Sequence, residues 1–232
     1  MDFIMNKTLL MVPSRNRPQN IERLAKALLD TATSVDLFVG IDEDDSHVDA
    51  YADLSRQYKF KLRIGPRKRF GPMLNELGMP FVENYKYMGW CGDDHLPITK
   101  GWDEIYRQEL DKIDTGVVYG NDLVQGKSIA TQLAFTSNIA KELGYIVPDD
   151  FIHLFIDNYF MVMAESIGKL VYLPEVIVQH LHYSAGSSQE DQTYKEANSP
   201  ANWSNDRQRF EDYVNNELPR DKEKLERLIN NE

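Results

Sequence analysis

The sequence predicts an α/β protein with a mostly parallel central sheet flanked by helices. Short apolar runs alternate with segments of helical periodicity through the first half of the chain, and short polar loops connect them. This alternation is typical of a parallel sheet built from strand–helix–strand units. In addition, a charged loop follows each of the first four apolar runs, which indicates a ligand site at one edge of the sheet.

The predicted elements of the first half follow in a regular order. The strands are four apolar runs: TLLMV, DLFVGI, KFKLRIG and YKYMGWC. The segments between them have apolar residues at helical spacing: IERLAKALLD, VDAYADLSRQY and MLNELGMPFVENY. Because a single short apolar run can also be part of a buried helix, the alternation of the two kinds of segment carries the prediction.

The second half is less regular. We predict helices over GWDEIYRQELDKI, NIAKELGY and DDFIHLFIDNYFMVMAESIG, and strands over GVVYGND and TQLAFTS. KLVYLPEVIVQHLHY predicts two short strands broken at Pro174. Residues 1–183 should therefore form the binding and catalytic domain. Residues 184–232 should form a mobile polar loop and a charged helical tail with no role in the core.

The composition is that of a globular protein. The 232 residues are 42% hydrophobic and 27% charged, which is enough for one large domain with a real core. The single cysteine excludes a disulfide framework and a cysteine-based zinc site, and it favours a reducing compartment. Because no apolar run reaches the length of a membrane span, we expect a cytoplasmic protein without a membrane partner.

The charge distribution restricts the ligand. A net charge of -11 argues against non-specific binding to nucleic acid, which needs a basic surface. The segment IGPRKRF is a local exception, with three cations in four residues. Such a cluster is suited to a small anion such as a diphosphate, and a solvated basic loop is an equally good interpretation.

The four strand-end loops read PSRNRP, DEDDSH, GPRKRFG and GDDH, alternately basic and acidic. On one edge of a sheet, they predict a ligand that is anionic and also uses a cation. Asp93, Asp94 and His95 in the last loop offer oxygen and nitrogen ligands that suit Mn²⁺ better than Mg²⁺. The alternative is a helix cap, supplied by Asp94 or by Thr99.

The order and spacing of these segments resemble the GT-A glycosyltransferases, nucleotide-sugar-dependent enzymes with a Rossmann-like sheet and an Asp-x-Asp metal motif. The resemblance extends from about Thr8 to about His182. The segments that carry it are PSRNRP, GIDEDD, GPRKRFGPMLNELG, WCGDDHLPITKGWDE and FIDNYFMVMAESIGKLVYLPEVIVQHLH. The overall pattern is similar to small bacteriophage glycosyltransferases, and host cytoplasm would then be the location.

The resemblance implies a metal site for Mn²⁺ or Mg²⁺ made by Asp94, His95 and His182, with His180 as the less favoured late histidine. Asp93 would face the ribose or the water shell of the metal. The sequence departs from the common motif at its third place, where His95 stands, so the choice between Asp94 and His95 as ligand stays open.

The resemblance also implies which residues bind the nucleotide. The implied donor-binding residues lie in the first three loops, in the helix after the third loop, and in the metal motif: Pro13, Arg15, Arg17, Asp42, Arg69, Asn75 and Asp93. Asp44 and Asp45 can equally be solvated charges. Trp90 and Trp102 can line a sugar subsite, although an aromatic residue beside a strand is more often part of the core.

Sugar transfer passes through an oxocarbenium-like state and needs a carboxylate to take the proton of the acceptor hydroxyl. The resemblance implies Asp157 for this role, and its apolar setting, LFIDNYF, predicts a raised pKa. The alternative is that Asp157 pairs with His153 on the same helix face. Asp149 and Asp150 are the second choice for the base.

We therefore expect a metal-dependent, inverting glycosyltransferase that moves a hexose or pentose from a nucleotide diphosphate sugar, with a UDP-sugar as the first choice. Three classes of acceptor are considered: a modified base of phage DNA, a protein, and a virion or host glycan. A non-catalytic nucleotide-sugar-binding module or partner subunit is the alternative. A nucleotidyltransferase ranks third, because PSRNRP lacks the glycine and lysine that its first loop usually needs.

Overall fold

A computed structural model describes residues 6–181 and 192–230. Its centre is one sheet with the strand order β3-β2-β1-β4-β7-β6-β8-β5. The strands are β1 (Thr8–Pro13), β2 (Val35–Asp42), β3 (Lys61–Gly65), β4 (Tyr87–Cys91), β5 (His95–Pro97), β6 (Val117–Asn121), β7 (Gln132–Thr136) and β8 (Leu170–His180).

The sheet is mixed, so the α/β class is confirmed and the prediction of a mostly parallel sheet is wrong. Strands β3, β2, β1 and β4 are parallel, whereas β7 is antiparallel to both β4 and β6. β8 is parallel to β6 and antiparallel to β5. The connection 122–131 between β6 and β7 contains no crossover α-helix, and parallel neighbours need such a crossover.

Helices cover both faces of the sheet. They are α1 (Pro18–Thr31), α2 (Val48–Tyr58), α3 (Phe70–Gly78), α4 (Trp102–Ile113), α5 (Ser137–Leu143), α6 (Ile156–Ser166), α7 (Gln192–Ala197), α8 (Pro200–Asp212) and α9 (Leu218–Asn230). A π-helical turn, Tyr213–Glu217, joins α8 to α9. In the described part of the chain, none of the helices has the length and apolar character that crossing a bilayer requires.

Strand β1 shows how one apolar run supplies both halves of the core. Leu9 and Met11 belong to the cluster under α3, α5 and α6, and Leu10 and Val12 belong to the cluster under α1, α2 and α4. Successive side chains of a strand point to opposite faces, so a strand buried on both faces is apolar throughout. The four apolar runs of the first half are all strands, as predicted.

Two element boundaries differ from the prediction. Helix α6 begins at Ile156 instead of near residue 149, because Phe155 has a left-handed backbone (φ 63°) that a helix cannot continue through. Strand β8 is continuous through Pro174 instead of split there. A register shift opposite Gly120 and Asn121 takes up the extra residues near the proline, which has no N–H to donate to the ladder.

The C-terminal helices pack onto the core, so the prediction that the tail has no role there is wrong. Tyr213 and Leu225 are fully buried in the same cluster as Leu9. The hydroxyl of Tyr213 donates to the buried carboxylate of Asp221 at 3.1 Å, and Tyr145 from the main body donates to the same carboxylate. Leu218, Leu225 and Leu228 recur at helical spacing, a signal that the high charge of the segment obscured.

Candidate metal and nucleotide site

All four charged loops line one cleft of about 370 Å³ beyond the carboxyl ends of β1, β2, β3 and β4. This is the edge where the first strands, which are parallel, all end. The loops contribute cations from PSRNRP and GPRKRFG and carboxylates from β2 and GDDH. The convergence that the alternating loop charges predicted is therefore present in the structure.

The register between β5 and β8 creates a cluster of possible metal ligands. His95 lies directly opposite His180, and their rings stack with centroids 4.1 Å apart. Asp94 completes the cluster, with Oδ1 3.2 Å from His95 Nδ1 and Oδ2 3.4 Å from His180 Nε2. One ligand atom from each of the three residues lies within 4.8 Å of the others. Two imidazoles and a carboxylate form a donor set that suits Mn²⁺ and related divalent ions.

The electrostatics of the cluster fit a cation. His95 Nδ1 is buried and makes no hydrogen bond within the described residues, although it faces a carboxylate oxygen. Burial acts to raise the pKa of Asp94, but its contacts with His180 and His95 outweigh that effect and hold the pKa well below the usual value. Burial opposes the charged form of His180, yet Asp122 and Asp94 raise its pKa to about 9. The site thus favours positive charge between its acidic groups.

The late histidine that the structure brings to this cluster is His180, the less favoured of the two in the sequence. His182, the first choice, lies outside the described residues. The alternative in which His180 points into the core is wrong, because its ring borders the cleft. His95 is on a short strand that the sequence did not predict, and the pairing of that strand with β8 selects His180.

Asp93 points away from the histidines and holds the first loop. Its carboxylate accepts a hydrogen bond from Ser14 Oγ at 2.6 Å and longer ones from Arg17 and Asn20, both at 3.3 Å. Burial and the charge of Asp94 raise the pKa of Asp93 to about 6, and Arg17 acts in the opposite direction. Tyr51, which bonds to Ser14 and accepts the N–H of Arg17, completes this network.

Asp42 connects the first and third loops at the far end of the cleft. One oxygen accepts from the guanidinium of Arg15 at 2.8 Å, and the other accepts the backbone N–H of Lys68 at 2.8 Å. Asp44 is exposed and is not a plain solvated charge, since it shares the same guanidinium at 2.6 Å. Arg15 and Asp42 both line the cleft, as does Pro13.

Helix α7 inserts two side chains into the cleft. Glu196 pairs with Arg67 at 2.6 Å and with Arg69 at 2.8 Å, so one carboxylate bridges both arginines of the third loop. Tyr194 donates its hydroxyl to Asp94, and its ring lies 4.1 Å from the guanidinium carbon of Arg17. A segment remote in sequence thus contacts the basic loop and the metal-ligand cluster at once.

Asp157 lies in the first turn of α6 and lines the same cleft. Its Oδ1 accepts the backbone N–H of Asn158 at 2.9 Å, and burial raises its pKa. The alternative pairing with His153 on one helix face is wrong, because the helix begins only at Ile156. His153 also lines the cleft, packed edge-on against Phe70 with ring centroids 5.7 Å apart.

Several other candidates lie away from the cleft. The side-chain amide of Asn75 is committed to the backbone of Ile146 and Val147, with bonds of 2.7 to 3.0 Å. Asp149 lies 3.4 Å from that amide, and Asp150 pairs with Arg209 at 2.6 Å. Asn75 therefore holds a loop in place and does not line the cleft.

The two tryptophans differ in position. Trp102 is buried in the core cluster under α1 and α4. Trp90 is also buried and forms the floor of the cleft, where its ring contacts Phe70 and Phe160 at centroid distances of 5.5 and 5.8 Å. The core interpretation holds for Trp102, and Trp90 is both core and cleft floor.

Sequence reasoning did not single out several polar residues of the site, among them Ser14, Arg67, Asp122, Thr131, Tyr194 and Glu196. Asp122 directly follows strand β6, so the strand-end argument used for the first half could have found it. Ser14 lies within PSRNRP but was not singled out. Tyr194 and Glu196 carry no local signal, because their position depends on how the C-terminal helices pack.

No protein-family model matches the chain, and no curated protein matches it by sequence. Solved structures do match in fold. The mannosyltransferase PcManGT from Pyrobaculum calidifontis, in complex with GDP-Man and Mn²⁺, has a TM-score of 0.56 at 12% identity; the match covers 94% of this chain and 72% of that one. TarS of S. aureus has a TM-score of 0.56 at 13% identity over 74% of this chain.

The chain spans only 36% of the length of TarS. A putative glucose-1-phosphate thymidylyltransferase from Bacillus anthracis matches with a TM-score of 0.50 at 11% identity, covering 82% of this chain and 98% of that one. These likenesses support the GT-A fold that the sequence resemblance implied. The same general architecture serves sugar transfer and nucleotidyl transfer, so the fold leaves the reaction to be argued from the site.

Proposed function

We propose that this chain is a metal-dependent glycosyltransferase that transfers a hexosyl or pentosyl group from a nucleotide diphosphate sugar to an acceptor hydroxyl, with inversion. The observation that carries the proposal is the meeting of three groups in one cleft. A carboxylate–imidazole cluster (Asp94, His95, His180), a pair of arginines (Arg67, Arg69) and a half-buried carboxylate (Asp157) all line it.

Each group has a place in the reaction. Asp94, His95 and His180 would hold Mn²⁺ or Mg²⁺, which when bound supplies positive charge to the leaving diphosphate. Arg67 and Arg69 lie on the same cleft and would neutralise the remaining charge of the diphosphate. Asp42 and Arg15, at the far end of the cleft, would contact the nucleoside.

Asp157 would take the proton of the acceptor hydroxyl. Burial raises the pKa of its carboxyl, which makes the carboxylate a stronger base than an exposed aspartate. Since Asp149 and Asp150 lie outside the cleft, they are not proposed for this role. For the acceptor we propose a hydroxyl group of a modified phage DNA base, of a protein or of a glycan.

The first experiment is a thermal-shift panel with UDP, GDP, CDP, ADP and dTDP, each with and without Mn²⁺. Ligand binding to the native state raises Tm by mass action, and we expect one nucleotide, with UDP as the first choice, to do so only with the metal. Asp94→Asn should abolish the metal-dependent part of the shift, and Asp149→Asn, outside the cleft, is the control. No shift with any nucleotide would refute the proposed donor site.

Asp157→Asn separates an enzyme from a non-catalytic nucleotide-sugar-binding module. The amide cannot accept the proton, so we expect transfer or slow donor hydrolysis to fall by roughly 10²- to 10⁴-fold while the nucleotide-induced shift stays unchanged. Asp149→Asn, a carboxylate outside the cleft, is the matched control. Unchanged turnover in Asp157→Asn would show that Asp157 is not the base.

Whether the acceptor is a modified DNA base can be tested by measuring transfer to a hydroxymethylated oligonucleotide at low salt.

A further inference from the structure

Asp122 is a buried carboxylate next to the ligand cluster that the proposed reaction does not use directly. Its Oδ1 accepts three backbone N–H groups, from Val124, Gln125 and Gly126, at 2.7 to 2.9 Å. Its Oδ2 accepts the hydroxyl proton of Thr131 at 2.8 Å. The carboxylate is therefore an acceptor at both oxygens and is held rigidly by the loop after β6.

Thr131 connects Asp122 to His95 through two hydrogen bonds of its hydroxyl group. The Thr131 hydroxyl has one proton, and that proton is given to Asp122, so its oxygen can only accept from the imidazole nitrogen 3.3 Å away. That nitrogen is His95 Nε2, which must then carry the ring proton. In the neutral ring, Nδ1 has the lone pair, and Nδ1 is the atom that faces Asp94 Oδ1 at 3.2 Å.

The same carboxylate reaches the second imidazole. Asp122 Oδ2 lies 3.7 Å from His180 Nδ1, and the carbonyl oxygen of Asp122 accepts the backbone N–H of His180 at 2.9 Å. With Nδ1 on the Asp122 side, Nε2 of His180 is on the Asp94 side, 3.4 Å from Oδ2. The contact of Asp122 with Nδ1 is an ion-pair contact rather than a hydrogen bond, and together with the backbone hydrogen bond it orients the His180 ring with Nε2 towards Asp94.

We propose that Asp122 is a positioning residue that sets the tautomer of His95 through Thr131 and orients the ring of His180 so that its Nε2 faces Asp94. His95 then binds the metal through Nδ1 and His180 through Nε2. The inference rests on the metal site of the proposed function, and it adds the residues that prepare that site before an ion arrives.

The tautomers can be measured without a metal or a substrate. Long-range ¹H–¹⁵N NMR of the metal-free protein at neutral pH should show the His95 proton on Nε2. In Asp122→Asn, the new amide N–H can donate to Thr131, whose hydroxyl can then donate to Nε2 and move the His95 proton to Nδ1. A proton on Nδ1 in the wild type, or no change in Asp122→Asn, would overturn the inference.

Mn²⁺ affinity, measured by electron paramagnetic resonance of the free ion, is the second readout. We expect Asp122→Asn and Thr131→Val to weaken Mn²⁺ binding by about 10- to 100-fold, the usual effect of losing such a partner. Thr131→Ser keeps the hydroxyl and should bind Mn²⁺ as the wild type does. Circular dichroism and Tm show whether each variant is folded.

The outcomes separate this inference from the proposed function. Wild-type affinity in a folded Thr131→Val and Asp122→Asn would overturn the positioning role and leave the glycosyltransferase proposal intact. Absence of Mn²⁺ binding in the wild type would remove the proposed cofactor, and the positioning role would fall with it. Weakened binding in Thr131→Ser as well would assign the effect to packing rather than to the hydroxyl, and would also overturn the inference.

Discussion

The strand-end loops of the first half and the C-terminal helices α7 to α9 reach the cleft by different routes. The loops are brought there by the sheet, because β1 to β4 are parallel and end at one edge. The helices are brought there by packing: Tyr213 and Leu225 anchor them on the core, and Tyr194 and Glu196 extend into the cleft.

This difference explains how the two regions cooperate. The first half supplies the Asp94–His95 motif and the basic loop, and the C-terminal region constrains the segment before Asp157. Asp206 of α8 is buried and accepts the backbone N–H groups of His153 and Leu154 at 3.1 and 2.7 Å. The proposed base therefore depends on a helix that the sequence marks as a charged appendage.

The largest expected effect tests whether the C-terminal helices are part of the cooperative unit. Leu225→Ala leaves a cavity in the main core cluster, so we expect the free energy of unfolding to fall by about 2–5 kcal/mol in urea denaturation. Leu24→Ala, at an equally buried position in α1, should cost a similar amount. Lys224→Ala is the exposed control. A loss below about 0.5 kcal/mol in Leu225→Ala would mean that the tail is a separate appendage.

The next effect concerns pH. Burial lowers the pKa of His153 from 6.5 to about 4 in the folded state. Between those values the unfolded chain binds more protons, so the stability that depends on neutral His153 falls as pH drops from about 6.5 to 4. Over this whole pH range, the contribution of neutral His153 to the free energy of unfolding changes by about 3 kcal/mol. We expect His153→Gln to remove this part of the slope of unfolding free energy against pH.

His47→Gln, which changes an exposed imidazole in the second loop, is the matched control for that slope. Unfolding should be followed by urea denaturation at several pH values between 4 and 7, so that other titrating groups cancel in the comparison of each variant with the wild type. A wild-type slope in His153→Gln would show that the segment before α6 is as open to water as the first-half loops.

The predictable part of the fold is the part that local periodicity determines. The apolar runs TLLMV, DLFVGI, KFKLRIG and YKYMGWC each occur as strands, and their charged loops share one edge because consecutive parallel strands must end together. The mixed order of the second half was not predictable in this way. The pairing of β7 between β4 and β6 depends on non-local contacts that leave no periodic signal.

In the candidate site, too, some residues could be predicted from the sequence and others could not. Asp93, Asp94 and His95 are adjacent in sequence, so their chemistry could be recognised in GDDH. The choice of His180 required the register of β5 against β8, which no spacing along the chain encodes. Phe155 is a third case: its left-handed backbone delays α6 until Ile156, although the apolar pattern continues through it.

The smallest expected effect concerns the contact between the basic third loop and α7 within the cleft. The Glu196 carboxylate bridges Arg67 and Arg69, the cations proposed for the diphosphate, so an incoming diphosphate must displace it. Glu196→Gln removes that competing charge. We expect calorimetry to show that nucleotide diphosphate binds a few-fold more tightly, a gain in binding free energy of about 1 kcal/mol.

This gain in affinity should shrink at high salt, because these groups are partly exposed. Glu211→Gln, which breaks a pair with Arg207 in the same C-terminal region, is the control. Weaker binding in Glu196→Gln would reverse the interpretation, because it would mean that α7 contacts the nucleotide instead of occupying its place.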